Sequence, residues 1–393
     1  MLLSIEINEK NMLGFGCMRL PLKAEGPGAP KPEDIDIPLV AQMDDVFLER
    51  GFTYFDTSFV YHNGHSEAAV KQALVEKHPR DAFQLATKFP TMLVKTEDQV
   101  DGFFEQQLQN LGVDYFNFYL LHILMTQYLE DGKGNPGVVE TCHLFEHLKK
   151  WKADGKARHI GFSFHDSADV LDKLLTDQPE VEFVQIVVNY YDWDSAWIQS
   201  RENLEVIQRH GKKAIAMEPV KGGYLANVPD ECVKLMHAMD PHLTPAAWAV
   251  RFAASQPGVF KVLSGMSTLA QVEDNTAAMA GFKPLTQAEQ EMLLECARIL
   301  RRQGPLHQDD YSGYGGLTFR GLPVGPILQT YNSLVMQPDP SFAADDNYLR
   351  QELLKKGVTD LHQQWPPEQV MYNGKDISDT LATAWDYLVK MAF

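Results

Sequence analysis

Asp56, Tyr61, Lys88 and His122 are the side chains in this sequence with the most specific chemistry to offer. They cluster around the ends of three short apolar runs, FTYFDTS, FQLATKF and FNFYLLH, with Tyr61 in the loop after the first. A tyrosine is a poor acid near neutrality, with an ordinary pKa near 10, yet it can give a proton to a carbonyl oxygen if a cation stabilises the phenolate left behind. A lysine ammonium about 4 Å away, at an effective dielectric near 20, supplies on the order of 4 kcal/mol, roughly three pKa units before solvation losses. Lys88 is the candidate for that cation. Asp56 would keep it charged and oriented, because a buried ammonium without a partner tends to lose its proton. A neutral His122 would donate a hydrogen bond to the substrate oxygen and polarise it. These residues handle protons but supply no hydride, so carbonyl reduction by them requires a cofactor, and a nicotinamide laid across their mouth is the economical choice.

The elements that must bring these residues together are legible as a pattern. From residue 11 to about 280, β-rich apolar runs alternate with longer amphipathic stretches, as repeated βα units do around a parallel sheet. Eight runs can be counted: the three above with MLGFGCM, HIGFSFH, FVQIVVN, AIAMEPV and FKVLSGM. Their near-continuous hydrophobicity suits strands covered on both faces. Apolar Ala69, Val70, Ala73 and Leu74 predict one helix after Gly64, and Val139, Leu144, Phe145 and Leu148 predict another over 138–153. Eight such units close a (β/α)8 barrel, an α/β fold whose active site lies at the C-terminal ends of the strands. Ser163, His165, Gln185, Asn189 and Glu218 fall at those ends as well. A further helix is expected over 286–302. A Gly- and Pro-rich stretch then marks a boundary near 303, giving a barrel over 1–303 and a small C-terminal appended domain over 304–393 with a final helix around 378–391.

Bulk properties exclude several classes of partner. With 35 basic and 53 acidic residues the net charge is -18, which disfavours nonspecific attraction to nucleic acid or anionic lipid. The start, MLLSIEINEKNM, carries Glu6 and Glu9 and lacks the apolar run of a signal peptide, while PAAWAVRFAAS is short and interrupted by Arg251. A cytoplasmic protein that avoids membranes is expected, and nothing in the sequence fixes an oligomeric state. The four cysteines, Cys17, Cys142, Cys232 and Cys296, include no C-x-x-C pair, so neither a disulfide framework nor a thiolate metal site is expected.

The segments DTSFVYHNGHSE, ATKFP, LLH, GFSFHDS, VQIVVNYYDW, MEPVKGG and LSGMSTLAQVEDN, taken together and in this order, resemble the aldo-keto reductase superfamily over roughly residues 11–300. The resemblance implies that Asp56, Tyr61, Lys88 and His122 are the catalytic tetrad acting on a small-molecule carbonyl substrate. It implies that Ser163 and Gln185 hold the nicotinamide carboxamide and that Cys17, Met18 and Arg19 flank the cofactor from the first strand. Met217 stands where many members carry a stacking tyrosine. Pro219, Lys221, Gly222 and Gly223 would form the loop over the pyrophosphate, and Gly265, Ser267, Gln271 and Asn275 would complete the adenosine end. NADP-dependent members usually place basic residues where this chain has Gly265 and Gln271. The segment GMSTLAQVEDN holds no cation, so NADH is expected to serve as well as NADPH.

Within that superfamily the chain is most similar to a bacterial branch whose barrel is followed by a ferredoxin-like domain with C-x2-C-x2-C-x3-C-P runs. The stretch GLPVGPILQTYN carries this part of the resemblance. It places Leu306, Asp309, Ser312 and Gly316 in the cysteine positions of the first run, and Leu361, Gln364, Pro367 and Met371 in those of the second. These residues cannot supply thiolates, so no iron–sulfur cluster is expected. The tail then reads as a cluster-free remnant packed through Phe319, Leu322, Ile327 and Leu328.

Plainer readings compete at several positions. Asp56 and Lys88 alone could be a structural ion pair, His165 could hold a loop, Glu218 could cap a helix, and Trp193 and Trp197 could be core. His143 and His147 have metal-ligand spacing, but no carboxylate follows in a known zinc pattern, so a solvated helix face is expected and no metal site. Two other functions can be drawn on the same barrel. A metal-dependent hydrolase would use Asp56, His122, His165 and Glu218, but it would need paired histidines on the first strand, where this chain has GFGCM. A noncatalytic nicotinamide-sensing protein is the other, and an intact tetrad argues against it.

Overall fold

The computed structural model describes residues 11–23, 31, 33–130, 134–195, 198–303, 314–335, 349, 352–353 and 365–390. The eight runs are eight parallel strands: β1 Leu13–Gly16, β2 Tyr54–Asp56, β3 Gln84–Phe89, β4 Phe116–Leu124, β5 Ala157–Phe164, β6 Phe183–Val187, β7 Lys213–Met217 and β8 Val259–Gly265. They pair in sequence order, and β1 closes on β8 through Leu13↔Val262 to Gly16↔Gly265. Fully buried Phe47, Leu74, Phe104, Leu148, Leu171 and Ile207 fill the layer between strands and surrounding helices. Tyr54, Phe118, Leu120, Phe183, Ile215 and Leu263 fill the barrel itself. Gly161 is a glycine for a steric reason: a Cβ there would lie 2.4 Å from the Phe183 carbonyl oxygen on the next strand.

Several boundaries differ from the sequence expectation. β1 ends at Gly16, and Cys17–Arg19 form a single 3-10 turn instead of extending the strand. The helix after Gly64 is Ser66–Val70 followed by a π-helical turn, Lys71–Val75. The helix expected over 138–153 is two pieces, Val138–Thr141 and Leu144–Ala153, because His143 adopts a left-handed backbone (φ 50°) between them. No helix among the described residues is long and apolar enough to cross a membrane.

After the barrel, α1 Gln287–Gln303 leads toward the C-terminal segment. That segment contains two similar units, each a two-residue-strand hairpin followed by a helix. In the first, Thr318–Phe319 pairs with Leu322–Pro323 ahead of α2 Val324–Val335; in the second, Met371–Tyr372 pairs with Lys375–Asp376 ahead of α3 Ser378–Lys390. The helices pack on one another, and Phe319, Leu322, Ile327 and Leu328 are buried with Leu381, Trp385 and Leu388 in a core separate from the barrel's. Of the positions aligned with cluster cysteines, Gly316, Pro367 and Met371 are described, with Met371 48% exposed, while Leu306, Asp309, Ser312, Leu361 and Gln364 lie outside the described residues.

Candidate active site

Strand register explains why the predicted residues meet. Gly16 pairs with Asp56 and Gly265, Asp56 with Ala86, Lys88 with Leu120, Leu120 with Gly161, Ser163 with Gln185, and Val187 with Met217. Side chains alternate along a strand, so Asp56, Lys88, His122, Ser163, Gln185, Met217 and Gly265 all share the inward parity, near the C-terminal ends. β4 continues past His122 to Leu124, through an irregular step in which Ile123 takes φ 55°. A β-branched residue there is strained. The Ser163 hydroxyl accepts the Ile123 N–H at 2.7 Å and holds it in place.

Lys88 is wholly buried, and its ammonium donates to Asp56 Oδ1 and, at 2.9 Å, to the Thr57 carbonyl. Burial disfavours the ammonium, but the Asp56 carboxylate and then Tyr61 outweigh it and hold the Lys88 pKa above its ordinary value. The ammonium also lies 4.6 Å from the centroid of the Tyr61 ring. The Tyr61 and His122 rings meet edge to face, 5.8 Å apart. Burial pushes the Tyr61 phenol above its usual value, with Lys88 pulling against it. The lowering anticipated from Lys88 alone is therefore more than cancelled by desolvation, and Tyr61 keeps its proton at neutral pH. Burial, with the nearby charges of Lys88 and His165, holds the His122 pKa well below the usual range, so its imidazole is neutral.

The residues expected to hold a cofactor surround this core. Cys17, Met18 and Arg19 form the turn after β1, and burial, followed by the Asp44 and Asp56 carboxylates, pushes the Cys17 thiol up, leaving it an uncharged filler. The stem of Arg19 runs along Gly265, with Cδ 3.4 Å from where a Cβ would sit, and the Ser267 hydroxyl donates to the Arg19 carbonyl at 2.6 Å. The Arg19 stem thus lies beside Gly265 from the turn after β1, a neighbour that the local segment 265–275 gave no reason to expect. Gln271 accepts the Ser267 N–H at 2.7 Å and Asn275 donates to Ser264 at 2.8 Å, so both shape the turn after β8. Gln185 donates to Met217 Sδ at 3.6 Å, while its buried Oε1 has no partner among the described residues.

After β7, Glu218 and Lys221 take left-handed conformations (φ 52° and 47°), as do Gly222 and Gly223, which follow Pro219 and Val220 through the turn. Lys221 points into the protein, where its ammonium sits 2.6 Å from Asp192 Oδ2. Trp193 packs on Phe252 at 5.5 Å, as core packing would have it, and Trp197 lies outside the described residues. His143 and His147 pair with Glu97 and Asp101 from a neighbouring helix. No group of three or more His, Cys, Asp or Glu among the described residues is placed to hold a metal ion.

Some contributors escaped the sequence reading. Ser58 lies 3.2 Å from His122 Nδ1, and the Leu20 N–H donates to His62 Nε2 at 3.0 Å, tying the β1 turn to the Tyr61 loop. Behind Lys88, Gln107 donates to its carbonyl at 3.0 Å and to Glu67 at 2.7 Å, and Glu67 also accepts from Thr87 and Asn110. The motif HSE contained Glu67, but only the packing of neighbouring helices on β3 gives it a role.

The comparisons with known proteins agree with this architecture. The chain is similar to an uncharacterized oxidoreductase, YqkF, of Bacillus subtilis (24% identity over 310 residues, 70% of this chain and 89% of that protein). It is also similar to L-galactose dehydrogenase of Arabidopsis thaliana (26% over 301 residues, 69% and 90%). Among solved structures, it superposes on aldo-keto reductase AKR11C1 of Bacillus halodurans in its holo form (TM-score 0.57, 22% identity, 75% of this chain and 94% of that one). A Klebsiella pneumoniae aldo-keto reductase in complex with NADPH gives a TM-score of 0.55 at 20% identity, covering 72% and 89%. The model of the Aldo/keto reductase family matches residues 12–298, the span of the closed barrel, so this chain belongs to the aldo/keto reductase family.

Proposed function

We propose that this protein reduces an aldehyde or ketone to an alcohol with NADPH, Tyr61 delivering the proton. The observation that carries the reading is the buried Lys88 ammonium, fixed by Asp56 and the Thr57 carbonyl beneath the Tyr61 ring and next to a neutral His122. The residues fit a nicotinamide. Gln185 Oε1 is a buried acceptor awaiting a donor, as the carboxamide N–H would be, and the Ser163 hydroxyl still has its proton to give. Gly16 and Gly265 adjoin on the β1–β8 seam, and Arg19, whose stem lies along Gly265, is read as the cation for the 2′-phosphate, which favours NADPH. NADPH, when bound, supplies hydride to the carbonyl carbon.

The residues of the chain do the rest. A Ser58 hydroxyl donating to Nδ1 leaves His122 with its Nε2–H directed at the carbonyl oxygen. Tyr61, kept protonated by burial, gives its proton to that oxygen. Lys88 then stabilises the phenolate, and Asp56 keeps Lys88 charged while this happens. The 304–393 segment is read as a ferredoxin-like remnant without cluster ligands, so hydride passes directly and not through a relay.

The test is turnover of NADPH with a panel of reactive aldehydes and quinones by wild type and Tyr61→Phe. The variant is expected to lose turnover by about 10²–10⁴-fold, the usual contribution of a general acid, and to bind NADPH within a few-fold of wild type by nicotinamide fluorescence. Equal binding with no turnover by either protein across the panel would favour a nicotinamide sensor, and activity lost to a chelator and restored by Zn²⁺ would favour a hydrolase.

A further inference from the structure

The segment between β6 and the next helix is gripped from two sides. On the side of the β7 turn, Asp192 accepts from Lys221 at 2.6 Å and from Asn189 at 2.9 Å, while the Asn189 amide also donates to the Glu218 carbonyl at 3.2 Å. These buried contacts pin a turn that contains left-handed Glu218 and Lys221, conformations that persist only where the surroundings impose them. On the other side, Arg301 of α1 donates to the Tyr191 carbonyl at 2.6 Å, and Gln329 of α2 donates to the Ser195 hydroxyl. Gln329 and Ser195 are buried, 8% and 3% exposed. Ser195 in turn donates its main-chain N–H to the Asp192 carbonyl at 3.0 Å and accepts the Ile198 N–H at 2.9 Å. The C-terminal unit therefore reaches within one residue's hydrogen bonds of the Asp192–Lys221 pair.

We propose that Gln329 is a positioning residue for the cofactor: through Ser195 it fixes Asp192, and through Asp192 the Lys221 turn that covers the phosphates. This rests on the NADPH reading proposed above and on the expectation, from the family resemblance, that the Pro219–Gly223 turn lies over the pyrophosphate. It assigns the C-terminal unit a task that needs no cluster, namely bracing the cofactor loop from outside the barrel. The left-handed turn supplies the reason a brace matters. Its rest conformation is uphill, so loosening one partner shifts the turn toward arrangements that no longer cover the phosphates.

The experiment uses the full chain with Gln329→Ala, Ser195→Ala and the double variant, NADPH dissociation constants from nicotinamide fluorescence, and kcat and cofactor KM with a reactive aromatic aldehyde. Each single variant is expected to raise the NADPH Kd by about tenfold, the effect of one buried hydrogen bond, with kcat at saturating NADPH falling by less. The double variant is expected to be no weaker than Ser195→Ala, because both changes break the same bond. Should Gln329→Ala also lower the melting temperature of the C-terminal unit, the Ser195→Ala background decides: a Gln329→Ala effect on Kd that persists in full there overturns the proposal. Wild-type affinity in Gln329→Ala overturns it as well. A wild-type protein that shows no NADPH binding would instead overturn the cofactor reading on which it stands.

Discussion

Replacing Lys261 with methionine is expected to stabilise this protein. Lys261 lies near the start of β8, where it donates to the Asn11 main-chain carbonyl and stands 3.5 Å from Asn11 Oδ1. Unlike Lys88 it has no carboxylate among the described residues to set against desolvation, and burial lowers its pKa from 10.5 to about 8. At 1.36 kcal/mol per pKa unit that fall corresponds to roughly 3 kcal/mol of destabilisation at neutral pH, where the folded protein must bury a charged ammonium. Methionine keeps the apolar stem but leaves the Asn11 carbonyl without this donor, which costs about 1 kcal/mol. The net gain is roughly 2 kcal/mol, or about 3–4 °C in melting temperature for a domain of this size. The sign with pH follows from the lowered pKa. Between about pH 8 and 10.5 the unfolded chain holds the proton and the folded one does not, so wild-type stability rises with pH across that window. The advantage of Lys261→Met should therefore be full at pH 7 and shrink by about 1.4 kcal/mol per pH unit above 8. Denaturant unfolding of both proteins at pH 7 and pH 10 measures this. A variant less stable than wild type at pH 7, or one with the same advantage at both pH values, refutes the reasoning.

Other outcomes are as specific. Lys88→Met should abolish turnover and, by stranding the buried Asp56 carboxylate, cost about 3–5 kcal/mol in denaturant melts, and adding Asp56→Asn should restore most of that stability without restoring activity. His122→Gln should flatten the acid side of the stability profile. His122 has a folded pKa well below its ordinary one, so the wild type loses about 1.4 kcal/mol per pH unit as pH falls below 6.5, from this one proton, and the variant should not. Because burial raises the Tyr61 pKa, reductive kcat should stay level through pH 9 and decline only above 10; a decline centred near neutrality would mean that Lys88 dominates. Gly161→Ala should destabilise the barrel by about 1–3 kcal/mol, since its Cβ meets a backbone oxygen that cannot move aside, and circular dichroism melting reads this directly.

The strand ends were legible because a buried parallel strand writes itself as an apolar run, and a two-residue period then fixes which side chains face inward. Asp56, Lys88, His122, Ser163 and Gln185 satisfy that parity, so finding the runs amounted to finding the inner ring. Residues acting through loops or neighbouring helices were less accessible. Lys221 reads in sequence as a cation beside two glycines, with nothing to reveal that Asp192 would turn it inward. The break at His143 was hidden because the apolar period on either side continues as though the helix were whole. Arg19 lies far along the chain from Gly265, and only the closure of β1 on β8 makes them neighbours.

That closure bears on how the chain comes to be folded during synthesis. Lys261 and Asn11 are 250 positions apart, and every contact across the β1–β8 seam has a similar separation. At the usual 5–20 residues per second, β1 waits roughly 10–50 s on the ribosome before its partner has been made. Throughout that interval the growing sheet presents two unpaired edges of apolar strand, the arrangement most open to pairing with another nascent chain. The hairpin–helix units that follow pack mainly on each other, across far shorter separations than the β1–β8 seam, and can form once both have emerged. Chaperone demand in this protein should therefore centre on the barrel and end when β8 is released.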